Sequence, residues 1–314
     1  MKLKFYLYTL LALTLTIVIL SAPADCLSLA LNGLNLWFDR MIPTLFPFMV
    51  LSGIMIRMNL TGSFVKLLNP ILGRLFRLRS SCIYGIVIGF LCGFPMGAHV
   101  TAQLYEQKQI SKKEASLLLA FCNNIGPVYF LSFVLPVLAL KKVLPFLIGM
   151  YGLPFLYGLF LRYVLYADQI PKESYCLRAQ NTSISLMQAL DESIFTSLYS
   201  IAKLGGYMIF FNLLFILPSL LSKTLHLGRN LSNLLTGGAG CLLEITGGIG
   251  LLGSRAPMFV LCVLPFGGLS CIAQTYSMIK DTDLSITEYV MHKMILTAIT
   301  VFYYLLPAKI LLWP

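Results

Sequence analysis

Gly89-Phe-Leu-Cys-Gly-Phe-Pro-Met-Gly97 lies inside an apolar run long enough to enter a membrane, yet it cannot stay helical throughout. A proline inside a helix removes a backbone hydrogen bond and clashes with the preceding turn, and each glycine weakens the helix further. Three other apolar runs are interrupted in the same way: Phe121-Cys-Asn-Asn-Ile-Gly-Pro127, Leu243-Glu-Ile-Thr-Gly-Gly-Ile-Gly250 and Pro265-Phe-Gly-Gly-Leu-Ser270. In hydrocarbon an unpaired backbone N–H or C=O costs several kcal/mol, so irregular backbone persists only where protein or water pairs with it. Breaks at matching places in two halves of a membrane protein point to a transporter's binding site. The four breaks therefore organise both the fold and the search for a site.

Composition sets the class. The chain is 58% hydrophobic and 11% charged, with mean hydropathy +0.84, far more apolar than a soluble domain. Its 314 residues hold many runs of about 20 apolar residues, the length that crosses a bilayer as helix. The net charge of +11 comes from Lys and Arg in short loops beside those runs, which is the pattern of positive-inside orientation rather than of nucleic-acid binding. The eight cysteines form no C-x-x-C pair and read as small buried apolar residues. Of the three histidines, His99, His226 and His292, none has a neighbour at metal-ligand spacing.

Spans follow from the apolar runs and orientation from the basic loops. Residues 5–21 form a first span, similar to a signal peptide but read as retained, and residues 23–40 lie at the outer interface with Trp37 as anchor. Residues 41–56 form the second span, followed by the most basic loop, with Arg57, Lys66, Arg74, Arg77 and Arg79. Residues 82–103 are followed by Lys108, Lys112 and Lys113, and both basic loops stay cytoplasmic only if this segment is a re-entrant hairpin. Spans at 114–140, 143–166, 197–220, 257–279 and 289–312, and a second hairpin at 233–253, complete seven spans and two hairpins. The expected fold is an all-α polytopic membrane protein, with the N-terminus cytoplasmic. Ser111 with Glu114, and Ser285 with Glu288, have the spacing of capping boxes opening two of the spans.

An internal duplication supports that count. Leu51-Ser-Gly53-Ile-Met55-Ile-Arg-Met-Asn59 matches Leu204-Gly-Gly206-Tyr-Met208-Ile-Phe-Phe-Asn212 at an offset of 153 (206 − 53), which also pairs Gly85 with Gly238 and Gly97 with Gly250. With three crossings per half, the second half is inverted relative to the first. A competing register of 171 (274 − 103) pairs Gln103-Leu-Tyr105 with Gln274-Thr-Tyr276, but it leaves Asn123-Asn124 and Leu243-Glu244 without partners. The resulting organisation is an N-terminal helix and interfacial segment (1–40), a first repeat (41–166), a cytoplasmic connector (167–196) and an inverted second repeat (197–314).

Polar side chains at membrane depth are functional candidates by default. Glu244 leads them, the one acid between residues 231 and 253; it either receives hydrogen bonds from a ligand or caps a half-helix inside the hairpin. Asn123 and Asn124 either read a polar ligand or tie helices together. Gln103, Ser270, Gln274 and Thr246 complete the expected ligand-binding set, and for His99 a hydrogen-bonded place in a helix is favoured. Gly93, Pro95, Gly97, Gly126, Pro127, Gly247, Gly248, Gly267 and Gly268 are the residues that break the helices. No P-loop, G-x-S-x-G, H-E-x-x-H or dinucleotide fingerprint occurs, so neither enzymatic activity nor a cofactor is expected.

The block running from Gly89-Phe-Leu-Cys-Gly-Phe-Pro-Met-Gly-Ala-His-Val-Thr-Ala-Gln to Cys-Asn-Asn-Ile-Gly-Pro127 resembles the YlbJ-type sporulation integral membrane proteins, within the nucleoside-recognition gate domain group. Pro43-Thr-Leu-Phe-Pro-Phe48 and Pro265-Phe-Gly-Gly-Leu-Ser-Cys-Ile-Ala-Gln274 fit the same pattern. The resemblance implies relationship to concentrative nucleoside transporters and to the membrane part of ferrous-iron transporters. It further implies a place in the cytoplasmic membrane of a spore-forming bacterium, a role in spore formation and transport activity. This chain has Phe94 where the pattern has Tyr, and Ile125 where Ser is commoner, so two hydroxyls are missing.

The expected function is secondary transport or facilitated passage of a small polar solute, nucleosides among the candidates. The expected partners are the lipid bilayer, that solute, a coupling ion and a second copy of the chain. Two alternatives stand beside it: a non-transporting assembly protein of spore formation, and a metal permease using Cys92 and Cys122 as soft ligands.

Overall fold

The computed structural model describes residues 2–140, 143–170 and 184–305. Lys172, Arg178 and Cys176 of the expected connector, and residues 306–312 of the last expected span, lie outside the described residues. The described chain is all-helical. Among the described residues five helices are long and apolar enough to cross a membrane, or six if the bent pair Asn69–Phe76 and Ser80–Cys92 counts as one. The chain is thus a multi-pass helical membrane protein.

After α1 (Lys2–Ser21) comes α2 (Pro23–Arg57), a single helix of 35 residues. The interfacial segment expected at 23–40 is therefore continuous with the span that follows. A π-helical turn at Trp37–Met41 explains the continuity, because it absorbs the backbone defect that Pro43 would otherwise impose. Trp37, expected as an interfacial anchor, donates its Nε1–H to Ile201 O at 2.8 Å, across a helix–helix contact.

That contact is with α9 (Leu186–Thr224), and the two long helices run antiparallel. Gly33 abuts Ile209, Trp37 abuts Gly205, and Gly53 abuts Ser193. Small residues at these points let the backbones approach, and dispersion packing then replaces the hydrophobic drive that lipid does not supply. An ion pair joins Arg57 to Glu192 at one end (2.7 Å), and another joins Asp25 to Lys223 at the other (2.7 Å).

Between the long helices lie α3 (Asn69–Phe76), α4 (Ser80–Cys92), α5 (Met96–Glu106), α6 (Lys112–Cys122), α7 (residues 127–137) and α8 (Leu144–Leu165). Helices α4 and α5 form a hairpin whose tip is Gly93-Phe94-Pro95, with a cis Phe94–Pro95 peptide. Both feet of this hairpin lie at the Arg57 end: Gln109 donates to Ile56 O, and Arg79 pairs with Glu114 at 2.8 Å. The expected capping box is present in full, since Ser111 accepts from the Glu114 N–H and Glu114 accepts from the Ser111 N–H.

After α9 come α10 (Arg229–Leu243), α11 (Ile245–Leu252), α12 (Pro257–Val263), α13 (Gly268–Ile279) and α14 (Ile286–Leu305). Helices α10 and α11 form a second hairpin: Gly240 and Cys241 meet Gly248, and Gly237 meets Leu252, a pairing centred on Glu244. The second capping box is only half made. Ser285 caps the Glu288 N–H, but the Glu288 carboxylate accepts instead from Tyr166 and Ser116. Asp283, before α14, accepts from Tyr105 (2.8 Å) and pairs with Lys112 (2.9 Å), which hold its carboxyl below the usual range.

Candidate functional site

The four breaks come together. Gly93, at φ +80°, packs on Gly126: a Cβ there would lie 2.7 Å from the Gly126 Cα, so only glycine lets the first hairpin tip seat against the α6–α7 break. Gly97 sits over Asn123, where an added Cβ would be 2.9 Å from the Asn123 Cα. In the second half Gly268, at φ +82°, lies under the Cys241 and Leu243 carbonyls at the tip of the α10–α11 hairpin. Gly267 faces the Phe94 ring, which joins the two halves. Pro127 begins α7, where its missing N–H is harmless, and Pro95 stands one place earlier relative to its helix, at the N-cap of α5.

Beside this convergence is a cavity of about 450 Å³, within the range of small-molecule sites. Glu244, Thr246, Gln274, Tyr129 and Cys271 line its interior, with Phe94, Ile125 and Met208 as apolar wall. Asp39, Arg40, Thr44 and Ser132 line it where the chain is exposed.

Glu244 is 2% exposed. It caps α11: Oε1 accepts from the Thr246 N–H (3.1 Å), and Oε2 accepts from the Gly247 N–H (2.7 Å) and from Asn212 Nδ2 (3.2 Å). A carboxylate at a helix N-terminus opposes the positive end of the dipole. The capping alternative raised from sequence is thus realised, and the same carboxylate also faces the cavity. The Tyr129 hydroxyl is buried and, among the described residues, has no partner at full hydrogen-bond geometry, with Thr246 beside it. Buried polar atoms without partners are uncommon, so this hydroxyl is free for a ligand or a water.

Of the seven ligand-binding candidates, Glu244, Thr246 and Gln274 line the cavity, whereas Asn123, Asn124, Gln103 and Ser270 do not. Ser270 accepts from Gln274 Nε2 at 2.9 Å and so orients a residue that does. Asn123 ties helices together: Nδ2 donates to Thr275 and Tyr289, and Oδ1 accepts from the Ala98 N–H. Among the described residues the Gln103 Oε1, buried outside the cavity, has no partner, and neither has His99 Nε2, which departs from the hydrogen-bonded place expected for that residue. Cys92 lines the cavity while Cys122 is buried beside Gly89, and no group of three metal-binding side chains occurs among the described residues.

Four residues were missed by sequence reasoning. Lys293 is fully buried on α14, and its ammonium donates to Asn123 O and to Asn124 Oδ1 (2.8 Å). Arg162, also buried, donates to the carbonyls of Phe76 and Arg77, the C-terminal end of α3. Asn212 and Tyr129 are recognised only once their helices are placed against Glu244 and Thr246. A signal existed for Lys293, because an ionisable side chain at membrane depth is a site candidate by the rule that selected Glu244.

Comparison with known proteins fits this geometry. Residues 38–153 match the family model described as Gate, nucleoside recognition. Those residues are similar to gate domains. The resemblance read from the Gly89–Pro127 block is thereby borne out, since the block lies within the matched residues. The sporulation integral membrane protein YlbJ of Bacillus subtilis (strain 168) is 31% identical over 122 residues. That alignment covers 39% of this chain and 30% of the relative's length. No solved structure matches. The matched stretch supplies the first hairpin, the α6–α7 break and Tyr129, while Glu244, Gln274 and Lys293 come from beyond it.

Proposed function

We propose that this chain is a secondary transporter or facilitator for a small polar solute, nucleosides among the candidates, in the cytoplasmic membrane of a spore-forming cell. One observation carries the reading. A buried carboxylate at a hairpin tip, Glu244, lines a cavity beside the place where the four helix breaks meet. Discontinuous helices around a midplane pocket are the usual construction of a transporter site. Glu244, Gln274 and the Tyr129 hydroxyl provide acceptors and donors for sugar or base hydroxyls and amides, and Phe94 and Phe133 give apolar faces.

In this reading seven spans and two re-entrant hairpins form an inverted repeat. The same succession of long helix, hairpin, broken helix and final helix in each half supports it. So does the antiparallel course of α2 and α9. The Arg57 end gathers Arg79 and Lys112, which favours that end as cytoplasmic.

The test is uptake by proteoliposomes across nucleosides, amino acids and divalent metals. Saturable uptake of a polar solute is expected, and Glu244→Gln should reduce it at least tenfold with the protein still folded. A Glu244→Gln variant that moved solute as well as the parent would remove Glu244 from the site. The relative's name mentions sporulation and no transport, which favours a second reading as a non-transporting assembly protein. Absence of uptake and of any solute-dependent thermal shift selects that reading.

A further inference from the structure

The α6–α7 break exposes the C-terminal end of a half-helix deep in the protein, and something must satisfy it. The last carbonyls of a helix carry about half a negative charge between them. Unwound carbonyls and half-helix C-termini are where membrane transporters bind monovalent cations. Here the Lys293 side chain reaches that end from α14. Its ammonium takes the Asn123 main-chain oxygen and the Asn124 Oδ1, lies 4.7 Å from the centre of the Phe94 ring and 5.7 Å from that of Tyr289, and is fully buried. Carbonyl oxygens on one side and aromatic faces on the other suit a cation of single charge.

Two further features fix the arrangement. Among the described residues Lys293 takes part in no ion pair, so neutral carbonyls and ring faces surround the charge. The Asn123 side chain is committed elsewhere, to Thr275, Tyr289 and the Ala98 N–H, and holds its own main-chain oxygen in place. Asn123 is a positioning residue for this pocket.

We propose that the Lys293 ammonium is a tethered cation occupying a monovalent-cation pocket at the α6–α7 break. The wild-type protein therefore binds no alkali cation there, and removing the side chain converts the pocket into a site for a free monovalent cation. The proposal does not depend on transport, so its failure and the failure of the transport reading are separate results.

The test compares purified full-length protein with Lys293→Ala by thermal melting in the chlorides of sodium, potassium, methylammonium and choline at equal ionic strength. The wild type should melt at one temperature in all four. Lys293→Ala should melt lower in choline and regain about 5 °C, saturably, in methylammonium or an alkali cation. If the variant does not survive extraction in choline, recovery of monodisperse protein in sodium or methylammonium against choline reads the same dependence. A wild type stabilised by sodium or potassium specifically overturns the proposal. So does a variant whose melting or recovery is the same in every salt, because Lys293 would then be a structural residue with no cation pocket beneath it.

Discussion

At the scale of single residues, two buried charges answer two broken helices with opposite signs. Glu244 is negative at the N-terminus of α11, and Lys293 is positive at the C-terminus of α6. Each sign opposes the local dipole end, which is why neither needs a counter-charge at contact distance. Glu244 has two separable duties, one through its oxygens as cap and one through its charge toward the cavity. Glu244→Ala removes both acceptors from the Thr246 and Gly247 N–H groups and should destabilise the protein by about 1–2 kcal/mol, the usual cost of a lost cap. Glu244→Gln keeps one carbonyl acceptor and should melt closer to the parent. Thermal melting of the two variants in detergent checks this, and equal losses would mean that the charge, not the cap, stabilises the tip.

At the scale of elements, the hairpins close because glycines remove side chains where two backbones meet. Gly248 is the tightest case in the second hairpin: an added Cβ would lie 2.5 Å from the Gly240 carbonyl carbon and 2.6 Å from the Cys241 Cα. No flexible side-chain end is available there to move aside, so the arms must separate. Two residues along the same helix, a Cβ on Gly250 would meet nothing within 4 Å. Gly248→Ala should therefore cost roughly 1–3 kcal/mol by overpacking. Gly250→Ala should be neutral or slightly stabilising, since alanine is the better helix former by about 1 kcal/mol. Paired melting curves decide the matter, and a similar response from both positions would refute the close approach of α10 and α11.

At the scale of the whole molecule, the helical class and the broken segments were legible because they depend on residue type in one stretch of chain. Gly93, Gly267 and Gly268 interrupt apolar runs whatever surrounds them, and all three adopt positive φ. The Ser111–Glu114 box was equally readable, being local. What escaped was settled by distant chain. Trp37 reads as an anchor until Ile201 is placed against it, and Asn123 reads as a ligand until Thr275, Tyr289 and Ala98 claim its amide. Glu288 has the spacing of a reciprocal cap, but Tyr166 and Ser116 compete successfully for its carboxylate. Lys293 belongs to no break of its own, and its partner at the α6–α7 break lies 169 residues away.

The same scale decides the topology. Both feet of the first hairpin lie at the Arg57 end, and the Lys112–Asp283 pair brings the loop before α14 to that end as well. Ser63, Lys108 and Asp281 are exposed around it, whereas His226 is exposed after α9, near the Asp25–Lys223 pair. If α4 and α5 enter and leave by one face, cysteines placed singly at Ser63, Lys108 and Asp281 will react with a membrane-impermeant maleimide from the same side. A cysteine at His226 will react from the other side. The parent protein is the control, since five of its seven described cysteines are buried. Labelling of Ser63→Cys and Lys108→Cys from opposite faces would show that residues 80–106 cross the bilayer. The second half would then lose its inverted relation to the first, and the first hairpin tip, at Phe94, could no longer meet the α12–α13 break, at Gly267, from the opposite side.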